Sequence, residues 1–254
     1  MPKWEAAVAT ENPKILYRIV QLLKELEIKF VICSPIDHRC EHAHVVITGP
    51  NDSSKEHEGR IEVAEDFDTD FARIEIMSKL HDLRTPFKAV VGIDPGMTSG
   101  VALVIDGIPV YSNSPTSPMI VAILTQTLLA HANTLFPDCQ KLVRIGTGSK
   151  LYATLLLRAI TNTDKKLSIE LVNEQRTTII GGARSDESAA ILIAGRTGRS
   201  ISPSDFSIEP KEGHIRSLKR YVTRLTRGKR SITSNEARAL LSGDSTIEDV
   251  IAHS

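Results

Sequence analysis

Apolar positions along this chain recur first with one arrangement of periods and then with another, and the change divides it. After a short apolar run from Trp4 to Val8, Asn12 and Pro13 mark a helix start: a side chain that can cap, then a residue whose φ is already set. Ile15, Leu16, Ile19, Leu22, Leu23 and Leu26 follow at helical spacing. Ile28 to Cys33 and Val45 to Ile47 read as strands, and residues 49–60, without a large apolar side chain, as a surface loop. Ile61 to Ala64 reads as a short strand. Asp68 to Leu83 reads as a helix with Phe71, Ile74, Met77 (or Ile76) and Leu80 on one side, stopped by Thr85-Pro86. Residues 1–86 are therefore expected to form a small α/β domain.

Beyond Pro86 the pattern changes. Ala89 to Ile93 is an almost continuous apolar run, as a central strand requires. Gly100 to Ile105 is a second strand, and Asp106-Gly107 is a tight-turn dipeptide that folds Ile108 to Ser112 back as a third. Ile120, Val121, Leu124, Leu128, Ala132 and Leu135 mark a long helix. Then come a strand at Leu142 to Ile145, a helix from Leu151 to Ile160, a strand at Ser168 to Val172 and a helix from Asp186 to Ala194. This predicts a mixed five-stranded sheet with flanking helices over 87–200. Residues 201–254 form a helical tail: Ile215, Leu218, Tyr221, Val222 and Leu225 make one stripe, and Thr233…Glu236 and Ser245…Glu248 are two capping-box patterns.

Composition adds little to this picture until it is divided. The 254 residues are 41% hydrophobic and 24% charged, an ordinary globular composition, and no unbroken apolar run has the length of a membrane span. No signal-peptide pattern opens the chain, and three cysteines, an odd number, argue against a disulfide framework; a cytoplasmic location with no membrane partner is the expectation. The net charge of zero hides an asymmetry of −5 over residues 1–86 and +5 over 87–254. Between Lys211 and Arg230 eight basic residues stand against one acid, Glu212. Arg216, Arg220, Arg224 and Arg227 fall opposite the apolar stripe, with Lys219, Lys229 and Arg230 adding charge, so the docked helix is expected to offer a cationic ridge to a phosphate backbone.

Three stretches carry candidate chemistry. Val91-Gly92-Ile93-Asp94-Pro95-Gly96-Met97-Thr98-Ser99-Gly100 puts a carboxylate at the end of a buried strand, before a tight turn whose glycines admit close approach. Glu170-Leu171-Val172-Asn173-Glu174-Gln175-Arg176-Thr177-Thr178 places Glu174 just past a strand end. Arg184-Ser185-Asp186-Glu187-Ser188-Ala189-Ala190 opens a small-residue helix with two acids, where helix dipole and capping also favour them.

The first stretch resembles the opening strand of RuvC-type Holliday-junction resolvases. The second is similar to the Asp-Glu-Arg-x-Thr-Thr stretch of the YqgF-like branch, with Asn173 in place of its Asp and Gln175 in place of its Arg. The third resembles the last acidic position of the same superfamily. The resemblance covers about residues 88–199 and implies a ribonuclease H-like fold, preceded by the small α/β domain and followed by the basic tail. The fourth strand ends in Arg144-Ile145-Gly146-Thr147-Gly148-Ser149-Lys150, without the acid that RuvC-type enzymes carry there, so the resemblance implies Asp94, Glu174 and Asp186 as the triad. It implies a nuclease or nuclease-like protein acting on branched DNA or structured RNA, with Mg²⁺ or Mn²⁺ held by Asp94, Glu174, Asp186 and Glu187. Lys150 and Arg176 are expected to face phosphate, and a homodimer is a further expectation.

Two other readings stay open. The fold could serve nucleic-acid binding without catalysis, which the substitutions around Glu174 favour. The Asp-Pro-Gly-Met-Thr-Ser-Gly turn is also similar to the phosphate loop of the actin, sugar-kinase and heat-shock ATPases, although one copy of the unit is evident where those proteins have two. Cys33, Cys40, His42 and His44 do not have common zinc spacing. Asp66, Asp68 and Asp70 lack the glycine and the final Glu of an EF-hand, and Gly146 to Lys150 is not a P-loop.

Overall fold

The chain opens on strand β1 (Trp4–Val8), and Asn12 then caps helix α1 (Pro13–Glu25), its side-chain oxygen accepting from the backbone N–H of Lys14 and Ile15 at 3.0 and 3.3 Å. The structure is a computed structural model that describes residues 4–52, 57–173 and 186–252. It divides into two units, residues 1–86 with 134–137 and residues 87–133 with 138–254.

In the first unit β2 (Phe30–Ile32), a 3-10 turn (His38–His42), β3 (Ala43–Thr48), β4 (Arg60–Glu62) and α2 (Thr69–Leu80) follow α1. The sheet order is β2-β1-β3-β4, and every neighbouring pair is parallel. The apolar side of α1 (Ile15, Ile19, Leu22, Leu23) closes a core with Val45, Ile47 and Ile61. Helix α2 buries Ala72, Ile74, Ile76 and Ser78, so of the expected side Ile74 and the alternative Ile76 are buried while Phe71, Met77 and Leu80 are half-buried. One expectation is corrected. Cys33 and Cys40, 6.3 Å apart at Cα, form a disulfide. An odd cysteine count excludes only complete pairing, and the buried Cys139 is the thiol left over.

The second unit comprises β5 (Lys88–Asp94), β6 (Gly100–Ile105), β7 (Ile108–Asn113), α3 (Pro118–Leu135), β8 (Gln140–Gly146), α4 (Lys150–Thr163), β9 (Ile169–Val172), α5 (Asp186–Ala194), β10 (Arg199–Ser200), a 3-10 turn (Pro203–Phe206), α6 (Glu212–Leu225), α7 (Ser234–Ser242) and α8 (Ile247–Ala252). The sheet order is β10-β9-β8-β5-β6-β7. Strands β5, β6 and β7 pair antiparallel, while β8 and β9 run parallel to β5. Asp106 and Gly107, at φ 46° and 87°, make the β6–β7 turn, and the Asp106 carboxylate accepts from the N–H of Phe87 and Lys88. The five expected strands are present, and the short antiparallel edge strand β10 makes a sixth, too brief to show as a hydrophobic period.

Alternation along the strands separates two faces. Val90, Gly92 and Asp94 of β5 share one with Gly100, Ala102 and Val104 of β6 and with Leu142 and Arg144 of β8. Val91, Ile93, Val101, Leu103, Val143 and Ile145 make the other, which is fully buried.

The C-terminal helices are built on α4. Leu151 and Leu155 share one apolar cluster with Ile215, Leu218, Tyr221, Val222 and Leu240. The Thr233–Glu236 capping box forms at α7. The second helix start moves by one residue, from Ser245…Glu248 to Thr246 and Asp249, whose side chains satisfy each other's backbone N–H at 3.1 and 2.8 Å. Helix α3, among the described residues, is long and apolar enough in length and composition to cross a membrane, although Thr, Gln, His and Asn interrupt it, and 39% of it is buried inside the fold.

Candidate active site

Asp94 is the last residue of β5, half-buried, and directly opposite Gly100 in the β6 register. What stands over it is decided by two glycines. A Cβ on Gly92 would meet the Ala190 carbonyl oxygen at 2.2 Å, and one on Gly100 would meet that of Asp186 at 1.8 Å. Helix α5 therefore lies backbone to backbone on β5 and β6, and its first residue covers the strand position paired with Asp94. Asp94 and Asp186 are thus brought to the same end of the same face.

The other end of α5 is held by charge. Arg144, 7% exposed in β8, donates to Glu170 of β9 at 2.8 Å and to the Ala194 carbonyl at 2.7 Å. A guanidinium at a helix C-terminus satisfies a carbonyl that has no helical partner and matches the dipole there. The sequence signal was present, an arginine inside an otherwise apolar strand, but its partners are 26 and 50 residues away.

Glu187 is engaged elsewhere. Its carboxylate accepts from the hydroxyls of Ser112 at 2.6 Å and Ser114 at 3.3 Å, at the β7 side of the sheet. Strand β7 is two strands from β5, roughly 10 Å across. Glu174 and Arg176 lie outside the described residues. Among the described residues, no group of three or more His, Cys, Asp or Glu side chains is arranged to hold a metal. Asp94 and Asp186, which the packing of α5 brings to one end of this face, carry carboxylates, which suit a hard cation such as magnesium.

The parallel strands β5, β8 and β9 end together at this edge. Thr147, just past β8, donates both its N–H and its hydroxyl to the Val172 carbonyl, at 3.0 and 3.1 Å. Lys150 is exposed on the first turn of α4, and the Ser149 before it makes no side-chain cap bond. A cavity of about 670 Å³ opens beside it, lined by Thr147, Lys150, Leu157, Asn173, Arg199 and Asp205. Arg199 grips Asp205 through two N–H donors at 2.8 and 2.6 Å, and this pairing holds the Asp205 carboxyl well below the usual carboxylate range.

The basic helix reaches the same edge. Arg224 donates to the Thr98 hydroxyl at 3.3 Å, in the turn that follows Asp94. Met97 of that turn packs against the apolar cluster of α6. Tyr221 donates its hydroxyl to the Thr116 carbonyl at 2.7 Å, and burial pushes its phenol up. Arg216, Arg220, Arg224, Arg227 and Lys229 are exposed. Lys219 and Arg230 are tied into the fold, Lys219 to Ser234 at 3.0 Å and Arg230 to Glu236 at 2.5 Å.

No protein-family model matches the chain, and no curated protein matches it in sequence. Among solved structures, the chain is similar to an Argonaute from Marinitoga piezophila, crystallised in complex with a 5′-hydroxyl guide RNA, at 11% identity and a TM-score of 0.27. The match covers 66% of this chain and 39% of the Argonaute, a likeness too slight to carry fold or function.

Proposed function

We propose that this protein is a ribonuclease H-like, metal-dependent nuclease, of the RuvC and YqgF kind, acting on structured nucleic acid such as branched DNA or folded RNA. One observation carries the reading: the Asp186 carbonyl seated on Gly100 sets a second acid over the strand end that bears Asp94. Support also comes from the strand order, three antiparallel strands followed by two parallel ones, and from the exposed Arg224 reaching the Asp94 turn.

In this reading Asp94 and Asp186, with Glu174, hold Mg²⁺ or Mn²⁺, which supplies water activation and stabilisation of the leaving oxygen of a phosphodiester. The protein's own contribution is placement. The rigid end of β5 aims Asp94, and the two glycines and the Arg144–Glu170 pair keep Asp186 from drifting. Glu187, engaged by two serines, anchors the first turn of α5, so it is assigned to positioning. Lys150 and the α6 arginines draw in and orient the phosphate backbone. A second reading is nucleic-acid binding without cleavage, favoured by Asn173 and Gln175 standing where the YqgF-like branch has Asp and Arg.

The test is cleavage of branched and linear DNA and RNA in Mg²⁺ or Mn²⁺ by the wild type and by Asp94→Asn. Cleavage that Asp94→Asn abolishes is expected. Cleavage left intact by that change would remove Asp94 from the site, and binding without cleavage by the wild type would establish the second reading.

A further inference from the structure

Helix α6 does more than add charge near the candidate site. Two bonds clamp it to the loops that frame Asp94, Arg224 to the Thr98 hydroxyl and Tyr221 to the Thr116 carbonyl, and the Ser99 N–H joins the two loops by donating to the Pro115 carbonyl at 2.8 Å. The aromatic ring of Tyr152, in the first turn of α4, meets Tyr221 edge-on with centroids 5.4 Å apart and an interplanar angle of 74°. Tyr152 is half-buried and its phenol lies within the fields of both Arg220 and Arg224. Arg220 and Arg224 are four residues apart on α6, hence neighbours on one side of the helix, and both are exposed. Arg220 has no ion-pair partner among the described residues. The acid of α6, Glu212, sits at its far end and faces Arg238 at 3.7 Å.

We propose that Arg220 and Arg224, with the hydroxyls of Thr98 and Tyr152, form a seat for one phosphate group of a nucleic-acid strand, beside the turn that follows Asp94. The inference rests on the reading above and names the subsite that sets the strand over the acids. Two guanidiniums on one helix side supply forked donors that match phosphate oxygens, and the two hydroxyls supply neutral donors on the side toward the sheet. Because Tyr221 and Met97 fix α6 against both loops, the seat keeps its place relative to Asp94 without a ligand. Charge complementarity selects the occupant, a polyanionic backbone. The two hydroxyls add hydrogen bonds that a diffuse ion atmosphere would not use.

The experiment is equilibrium binding of a fluorescent single-stranded oligonucleotide to the full chain in EDTA, so that no cleavage enters. Arg220→Gln with Arg224→Gln is expected to weaken binding roughly tenfold and to lower the salt slope by roughly 0.7, the share of one phosphate on a single strand. Tyr152→Phe keeps the ring pair, removes the hydroxyl, and is expected to cost about twofold to threefold. Lys24→Gln with Lys29→Gln removes the same charge from the first unit and is expected to change binding less than about twofold. A double arginine variant that binds as well as this control, with an unchanged circular dichroism spectrum, overturns the seat, and so does a wild type that does not bind. If the double variant fails to fold, Tyr152→Phe and Thr98→Ala decide, and equality of both with the wild type overturns the seat. Cleavage that depends on Asp94 alongside normal binding by the arginine variant would leave the nuclease reading standing and the seat refuted.

Discussion

Helices α5 and α6 come to the same end of one sheet by opposite means. Helix α5 approaches where side chains are missing, over Gly92 and Gly100, and carries acids. Helix α6 approaches through large side chains, Ile215, Leu218, Tyr221 and Val222, and carries cations. The difference is one of tolerance. A contact made by the absence of Cβ atoms has no slack, because any addition strikes backbone. A contact made by an apolar cluster can lose an atom and settle. The rigid contact holds the acids proposed for chemistry, and the graded one holds the basic surface proposed for binding.

The sharpest way to break this contrast is to give the glycines side chains. Gly100→Ala is expected to destabilise the chain by about 3 kcal/mol, and Gly92→Ala by slightly less, measured by urea unfolding. Gly195→Ala, whose Cβ would stand 3.6 Å from the nearest oxygen, should stay within about 0.5 kcal/mol. If all three were alike, α5 would not be held by close approach.

The next effect belongs to the far end of α5. Arg144→Met leaves Glu170 without its cation and the Ala194 carbonyl without a donor, and about 2–3 kcal/mol of stability is expected to go. Replacing Glu170 by Leu in the same chain should restore much of it, since the cost lies in the stranded charge. A double variant as unstable as the single one would show that Arg144 acts through packing alone.

For α6 the expected losses are smaller. Tyr221→Phe keeps the buried ring and removes the bond to Thr116, for about 1 kcal/mol. Loss above twice that figure would mean that α6 is as intolerant as α5.

An effect no larger lies in the segment joining the two helices. Pairing with Arg199 lowers the Asp205 carboxyl in the folded chain, so its contribution is complete above the unfolded carboxyl's value near pH 4 and drains as acid protonates it. Asp205→Asn should therefore cost about 1 kcal/mol, unchanged from roughly pH 5 to 8, with the gap from wild type closing below about pH 4. A gap that persists in acid would assign the role of Asp205 to its Ser202 cap bonds rather than to charge.

The alternation and helix periods of residues 4–48 and 88–172 were enough to predict nearly every element in its place, since each is a local consequence of burying one face. The Asn12 and Thr233 caps were equally legible, because a cap and its amides lie within three residues. The sequence also marked Asp94 by its strand-end position. Other features depended on contacts distant in sequence: the edge strand β10, the Arg144–Glu170 pair under α5, and the side of the sheet to which Glu187 turned. Likewise Lys219, Arg230 and Arg220 look alike in sequence, yet two are tied into the fold and one is exposed. Local periodicity decides which way a residue faces. Only the packing of segments from far along the chain decides what it meets there, and for α5 that packing depended on two glycines having no side chain at all.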